Sequence, residues 1–164
     1  MTLQIRRVIT GHKPDGKATV LIDDISKNRP PRDANNTVNE TTVIWTSEGF
    51  PVSNDDQKSD AGTREVGITQ SGGTVFRVVS FGPGNPDMNH RTDSIDYAVV
   101  MSGEIDMELD EGEAVHLKAG DVLVQRGTIH NWKNRGAEPC LIAFILISAK
   151  PVEAGGKVLN ATLH

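Results

Sequence analysis

Three polar residues at even spacing come directly before an apolar stretch, and their side chains are of types that can do chemistry. His90, Thr92 and Asp96 lie in the segment MNHRTDSIDYAVV, residues 88–100. On an extended strand, even offsets place side chains on one face. An imidazole and a carboxylate on one face can bind a metal ion or work as an acid–base pair. The alternative interpretation is a solvated strand end with a polar face.

A second segment carries another imidazole, together with an aromatic and an amide side chain of the same parity. Gly120 and Gly127 precede His130, and Trp132 and Asn134 follow it at two-residue intervals. This spacing predicts that the last three side chains share one face of a strand. Trp132 could stack on a planar ligand as a substrate-binding residue, or it could be a core aromatic, and the residue type allows both.

The spacing in both segments resembles the two sequence motifs of the cupin superfamily. The first cupin motif reads G-x5-H-x-H-x3,4-E-x6-G, which Gly84 and His90 match at its start and Gly103 at its end. The second reads G-x5-P-x-G-x2-H-x3-N, which residues 120–134 follow with one residue fewer and with Gln125 near the proline position. The resemblance implies an all-β fold, the cupin-type double-stranded β-helix or jelly-roll barrel, with an N-terminal strand extension.

In cupins, three histidines and one glutamate bind a metal ion inside the barrel. Carried over by position, the resemblance makes His90 the first ligand and His130 the last, with Thr92 at the second histidine and Asp96 at the glutamate. Two histidines and a carboxylate are enough for a facial triad around one divalent ion. The predicted metal and catalytic residues are therefore His90, Asp96 and His130, with Fe, Mn, Zn or Ni as the ion. Thr92 is predicted to contact substrate or a metal-bound water.

The same residues allow a site without a metal ion. His90 and Asp96 would then pair, and His130 would be a pocket residue. Burial and pairing could move the pKa values of such a pair toward neutrality, which makes it a workable acid–base unit.

A lone cation on an apolar strand face is a further candidate for substrate binding. Arg77 shares its predicted face with Val75, Val79 and Phe81 in the segment TVFRVVSF. A buried guanidinium needs an anionic partner. That partner could be Asp96, another buried acid, or the carboxylate or enolate of a substrate. The alternative is an edge-strand arginine whose charged end reaches solvent.

The hydrophobic pattern predicts an all-β chain. In EIDMELD, residues 104–110, apolar residues alternate with acids, which is typical of a strand with one solvated face. CLIAFILIS, residues 140–148, is apolar at nearly every position and is predicted to be a central strand. We expect one structural domain with an N-terminal hairpin and loop extension (residues 1–73), a cupin barrel core (74–150) and a weakly patterned tail (151–164).

Composition argues against several classes of partner. The net charge is −5 and no cluster of Lys or Arg stands out, so nucleic acid is not the expected partner. The longest apolar run, residues 141–147, is too short to cross a bilayer, and the N-terminal segment lacks the apolar region of a signal peptide. Because a single cysteine, Cys140, cannot form an internal disulfide, a reducing compartment and a cytoplasmic location are predicted.

The resemblance leaves the reaction open, since fold alone does not determine function. We expect a small-molecule enzyme with lyase or isomerase chemistry, in which proton transfer, dehydration or decarboxylation proceeds through an enolate of an oxygenated acid, ketone or aromatic substrate. The alternatives are a non-haem iron dioxygenase with the same three ligands and a non-catalytic cupin that binds a small ligand. Small cupins commonly dimerise, so the resemblance also implies a homodimer, whose N-terminal strands could add to a partner's sheet edge.

Overall fold

A computed structural model describes residues 3–31, 35–54 and 59–163 of the chain. These residues form β-strands joined by turns, loops and two short 3₁₀ turns, and no helix among them is long and apolar enough to cross a membrane. The strands are β1 (Arg6–His12), β2 (Ala18–Ile25), β3 (Glu40–Glu48), β4 (Gly73–Phe81), β5 (His90–Arg91), β6 (Ser94–Ser102), β7 (Glu104–Glu108), β8 (Ala114–Lys118), β9 (Val122–Arg126), β10 (Asn131–Lys133), β11 (Cys140–Ser148), β12 (Val152–Ala154), β13 (Lys157–Leu159) and β14 (Thr162–Leu163).

The larger sheet has five antiparallel strands in the order β3-β4-β11-β6-β9. The apolar strand β11 lies in the middle, paired on both sides, which confirms the prediction of a central strand. Its even-numbered residues are buried and its odd-numbered residues are half-buried. In β6 and in β11 up to Ile147 one face therefore points to the interior, and its residues follow from parity, whereas β3 has consecutive buried residues and a register shift.

The smaller sheet has three antiparallel strands in the order β10-β7-β8. In β7, Ile105 and Met107 are buried while Asp106 and Glu108 are only partly so, as the alternation of apolar and acidic residues predicted. On the outer side, Asp106 accepts hydrogen bonds from Arg135 and pairs with His116, whose imidazole is mostly exposed. This sheet thus has a wet outer face and an apolar inner face.

The core lies between the inner faces of these two sheets. It contains Val75, Ala98 and Ile142 from the larger sheet and Ile105 and Leu117 from the smaller one. Aromatic rings join the sheets: the Trp132 ring centroid lies 5.4 Å from that of Phe144 and 6.0 Å from that of Phe81. Packing of the two apolar faces forms the core beside the space where the candidate site lies.

The N-terminal residues pack onto the larger sheet. Strands β1 and β2 form the predicted hairpin, and the buried Arg7 anchors it by salt bridges to Asp24 and Asp60. Strand β3 pairs with β4 as the edge strand of the five-stranded sheet, so this sheet draws one strand from the predicted extension.

The C-terminal tail contains strands that its weak pattern did not predict. β12 and β13 form a short hairpin, and β14 pairs with β5, so that Leu163 lies opposite His90 in the backbone register. Such two- and three-residue strands carry too few residues for a periodic signal. The end of the chain therefore runs beside a strand that carries one of the predicted site residues.

One buried amide ties the strand ends together next to the site. Asn134 is fully buried, and its Nδ2 donates hydrogen bonds of 2.8 Å to the carbonyls of Phe81 and Glu138. Its Oδ1 accepts a hydrogen bond of 2.9 Å from the Gly136 amide. Parity predicted that Asn134 faces inward, and the contacts show that its role there is structural.

We predict that Asn134→Ala lowers the free energy of unfolding by about 2–4 kcal/mol, because it removes three hydrogen bonds of a fully buried side chain, including the buried one to the Phe81 carbonyl. Urea denaturation followed by circular dichroism measures the difference. Asn160→Ala, at an exposed asparagine, is the matched control and should change stability by less than about 0.5 kcal/mol. An equal effect of the two substitutions would contradict the structural role of Asn134.

Candidate active site

A cavity of about 420 Å³ opens between the two sheets. Its volume falls in the range of pockets that hold small molecules. The wall is mostly apolar, with a few convergent polar groups. The lining residues are Pro30, Pro31, Asn36, Asn39, Thr41, Val66, Gly67, Ile68, Arg77, Val79, Phe81, Met88, His90, Asp96, His130, Trp132, Phe144 and Leu146.

Two histidines from separate motifs meet in this cavity. His90 in β5 and His130 before β10 form a β-bridge in which each backbone amide donates to the other residue's carbonyl, at 3.0 and 2.9 Å. Their ring centroids lie 4.3 Å apart. Forty residues of chain separate them, so their meeting depends on the closure of the fold.

Backbone carbonyls orient both imidazoles in the same way. Nδ1 of His90 lies 2.9 Å from the Met88 carbonyl, and Nδ1 of His130 lies 3.0 Å from the Thr128 carbonyl. Since a carbonyl only accepts, each Nδ1 carries the proton in these contacts, and each Nε2 keeps its lone pair. Burial, together with the neighbouring His90, lowers the pKa of His130 to about 4. His130 is therefore neutral at pH 7 and offers an acceptor nitrogen.

Asp96 lies in β6 with its side chain on the inner face. Its residue is 4% exposed, and burial raises the pKa of its carboxyl, although Ser94, His90 and Arg77 act in the opposite direction. The Ser94 hydroxyl lies 2.5 Å from Asp96 Oδ1 and 2.8 Å from the Thr92 hydroxyl. Hydroxyl groups thus support one carboxylate oxygen from behind.

Thr92 has a different place from the one predicted. It is buried and forms part of the Thr92–Ser94–Asp96 chain, but it is not among the residues that line the cavity. Its even parity does place it on the same side as Asp96. In the described geometry Thr92 contacts Ser94 and does not line the cavity, and its contact with substrate or a metal-bound water stays a prediction.

Arg77 extends from β4 into the cavity wall. Its strand lies between β3 and β11, and the residue is 8% exposed, so the alternative of a solvated edge-strand arginine is wrong. Nη2 donates hydrogen bonds of 2.5 and 2.7 Å to the carbonyls of Gly67 and Ile68. Burial lowers the pKa of Arg77 to about 10, and the charge of Asp96 partly offsets this effect. The guanidinium remains charged at pH 7.

Trp132 packs in the core and also lines the cavity, so its position is compatible with both a core aromatic and a residue that stacks on a ligand. It is 5% exposed and packs between Phe81 and Phe144, as a core aromatic does. It also lines the cavity. A planar ligand in the cavity would therefore meet an indole that is held rigidly by its neighbours.

The donor set for a metal ion is incomplete in this geometry. Nε2 of His90 and of His130 are free to coordinate, and an Nδ1–H bonded to a carbonyl is the usual support for a histidine ligand. Across residues 3–31, 35–54 and 59–163, however, no group of three or more His, Cys, Asp or Glu side chains is arranged to hold a metal ion. The three-ligand set of His90, Asp96 and His130 stays a prediction.

Several residues of the site could not be recognised from the sequence. Ser94 has the even parity of Asp96, which is a weak signal, but its type is common on strand surfaces. Pro30, Pro31, Gly67 and Ile68 belong to segments predicted as loops, and the structure places them over the cavity. No periodic pattern exists in such loops, so their position depends on the sheet against which they pack.

Comparison with known proteins assigns the family. A model of the cupin domain matches residues 77–147, inside the range predicted for the barrel core. The cupin-domain-containing oxidoreductase fogC of Aspergillus ruber is 33% identical over 170 aligned residues, which cover 98% of this chain and 80% of that protein. The chain belongs to the cupin family.

A second relative is more similar over a shorter stretch. Phomopsin biosynthesis cluster protein C' of Diaporthe leptostromiformis is 51% identical over 95 residues, which cover 57% of this chain and 50% of that protein. The match therefore spans about half the length of that relative.

Solved structures confirm the fold class. The polyketide cyclase RemF from Streptomyces resistomycificus superposes with a TM-score of 0.52 at 13% sequence identity, over 76% of each chain. At this identity the likeness concerns the fold alone. It supports the assignment of the two facing sheets to the double-stranded β-helix of cupins.

We predict that His130→Gln weakens the loss of stability in acid. Because the folded protein lowers the His130 pKa from 6.5 to about 4, the unfolded chain binds the proton first as the pH falls. The contribution of this residue is thus full above pH 6.5 and is lost as the pH falls to 4, a loss on the order of 3 kcal/mol. Urea denaturation at several pH values measures it.

His116→Gln is the control for this prediction, because hydrogen bonding to Asp106 raises the pKa of the exposed His116. Its contribution is present below the unfolded pKa and disappears as the pH rises, so the variant should change the pH dependence in the opposite direction. Parallel pH profiles of wild type and His130→Gln would show that His130 is not buried in its neutral form.

Proposed function

We propose that the protein is a small-molecule enzyme of secondary metabolism in which Asp96 removes a proton from carbon next to a carbonyl group. The observation that carries this proposal is a desolvated carboxylate with a raised pKa on the wall of a mostly apolar cavity. A carboxylate whose pKa is moved toward the working pH is a stronger base than a solvated one. The similarity to Phomopsin biosynthesis cluster protein C' supports a substrate from secondary metabolism.

In this proposal each polar side chain in or beside the cavity has a separate role. Ser94 holds Asp96 Oδ1, which leaves Oδ2 to take the proton. As the proton leaves carbon, negative charge develops on the carbonyl oxygen, and the nearby Arg77 cation favours it in a site with little water. Neutral His130 can accept a hydrogen bond from a substrate hydroxyl through Nε2. Return of the proton to another carbon gives isomerisation, and loss of a β-hydroxyl gives dehydration.

Exchange of carbon-bound protons tests this proposal without knowledge of the natural substrate. A panel of aryl ketones and aryl β-keto acids is incubated with the protein in D₂O, and loss of the α-proton signal is followed by NMR. We expect at least one compound to exchange faster than in buffer. Asp96→Asn should lower that rate by about 10²–10⁴-fold, because it keeps the shape of the side chain and removes its basicity.

The same variant must remain folded for the comparison to be valid. Burial raises the Asp96 pKa, so its ionised form costs stability at neutral pH, and Asp96→Asn should melt at or above the temperature of wild type. Glu153→Gln, at an exposed carboxylate, is the matched control and should leave the exchange rate unchanged. Exchange by Asp96→Asn at the wild-type rate would exclude Asp96 as the base.

A second candidate is an oxidoreductase, because the relative of 33% identity carries that word in its name. Such chemistry needs a redox group, and His90, His130 and Asp96 are the residues of the described cavity wall that could hold a metal ion. Elemental analysis of the purified protein and of His130→Gln, with oxygen uptake measured beside the exchange assay, separates the candidates. Ligand binding with neither exchange nor oxygen uptake would favour a non-catalytic binding protein.

We also propose that two copies associate through the outer face of β6 and β9. Ile95, Tyr97, Val99 and Met101 are 37–49% exposed in one row, and Val122 and Val124 beside them are 73% and 58% exposed. A row of uncharged apolar side chains next to an edge strand is unusual on a free surface. Arg126, opposite Ile95, is the one charged residue of β9 on this face, and the other residues of the row can pack against their own copy across a twofold axis without repulsion. The single cysteine, Cys140, is a buried free thiol, and a chain without a disulfide is typical of a reducing compartment, so we propose a cytoplasmic location.

We predict that the double substitution Val122→Lys and Val124→Lys converts this dimer to a monomer, because it places four charges in the interface. Light scattering after size-exclusion chromatography measures the molar mass. Val158→Lys, at a valine of β13 that is 55% exposed, should leave the dimer intact. A monomeric wild type, or a dimer that persists in the double variant, would contradict this interface.

A further inference from the structure

The cation in the cavity wall forms no ion pair with any residue in the described ranges 3–31, 35–54 and 59–163. Arg77 Nη2 donates to two carbonyls, Nε is buried without a partner, and among the described residues Asp96 is the one carboxylate that acts on it electrostatically. Asp96 and Arg77 make neither a salt bridge nor a direct hydrogen bond, and Asp96 Oδ1 accepts a hydrogen bond from Ser94 instead. A charged guanidinium that is about nine-tenths buried normally has an anion beside it.

The rest of the cavity wall is unsuited to a polyanion. Of the described residues that line the cavity, Arg77 is the one lysine or arginine, and most of the others are apolar. The apolar side includes Ile68, Phe81 and Trp132, which match a hydrocarbon or aromatic body. One charge in an apolar chamber fits a ligand with one anionic group.

We propose that the substrate is an otherwise apolar molecule with one carboxylate, which binds Arg77 and thereby lies beside Asp96. Because Nη2 is engaged by the two carbonyls and Nε is buried, the carboxylate would accept a charge-assisted hydrogen bond from the remaining Nη1. The two carbonyls hold the Arg77 side chain in place before the ligand arrives, so little ordering is needed on binding. This inference rests on the proposed function, because it names the substrate class of the same site.

The position of Arg77 also explains how the reacting carbon is selected. The ligand's own charge would be held at the guanidinium, and its apolar body would extend along the wall formed by Trp132 and Phe144. The carbon next to the bound carboxylate end is then the one that meets Asp96. A β-keto acid or an α-aryl acid satisfies this arrangement, whereas a neutral ketone lacks the group that orients it.

Binding of a matched pair of probes tests the proposal without any turnover. 2-Naphthoate and 2-naphthamide have nearly the same shape and differ in charge. Titration into the wild-type protein, followed by calorimetry and by the fluorescence of buried Trp132, should show 2-naphthoate binding roughly ten- to a hundredfold more tightly, as expected for a charge-assisted hydrogen bond. Equal affinities, or no saturable binding of 2-naphthoate at millimolar concentration, would overturn the proposal.

Two variants test whether Arg77 causes the preference for 2-naphthoate over 2-naphthamide. Arg77→Met should reduce the affinity ratio of the two probes to about one, while Arg126→Met, at an exposed arginine of β9, should leave the ratio of wild type. A preference that persists in Arg77→Met would also overturn the proposal. Because Arg77 holds the loop at Gly67, that variant is checked by circular dichroism, and the wild-type comparison stands even if the variant does not fold.

The outcome is separable from that of the proton-transfer assay. Asp96→Asn should retain or increase the preference for 2-naphthoate, since it removes a negative charge near the anion. A carboxylate preference without proton exchange would mean that the anion site is correct and that the reaction is another one. Exchange on neutral ketones without a carboxylate preference would keep the base and exclude the anion site.

Discussion

Burial of Asp96 and Arg77 on the inner face of the larger sheet is the constraint on which the site depends. The core side chains of both sheets surround the cavity, so Asp96 and Arg77 are both removed from bulk solvent. Burial then acts on them in opposite directions, because it raises the pKa of the Asp96 carboxyl and lowers the pKa of the Arg77 guanidinium. Neither group completes an ion pair, and both therefore remain available to a ligand.

This arrangement costs stability, and under the proposed function it serves catalysis. A buried carboxylate and a buried guanidinium without direct contact are each less favourable than a paired set would be. The surrounding structure compensates through local contacts: Ser94 supports Asp96, and the carbonyls of Gly67 and Ile68 hold Arg77. The polar groups of the cavity are thus oriented before the substrate binds, which is the usual way that a fold lowers the cost of charge development.

Backbone groups also position the two histidines. His90 and His130 bridge their main chains, and each ring is turned by a carbonyl only two residues away in the chain. The position of one ring therefore depends on the other strand, and the orientation of each depends on its own turn. The two imidazole rings therefore lie side by side in a cavity that also contains the Arg77 guanidinium and the Asp96 carboxyl, whose pKa is raised by burial.

The sequence by itself determined the parity of the strands and the residue types on each face. Alternation in 104–110 and the apolar run 140–148 were sufficient to predict a wet and a central strand, and motif spacing was sufficient to pair His90 with His130. These features are local or follow from a family pattern, so they need no knowledge of packing. The tertiary structure alone decided which loops cover the cavity, that Thr92 supports Asp96 through Ser94, and that Arg77 is buried without an ion pair to any residue of the described ranges. Such facts depend on distances between segments far apart in the chain, and burial and electrostatic energy follow from those distances.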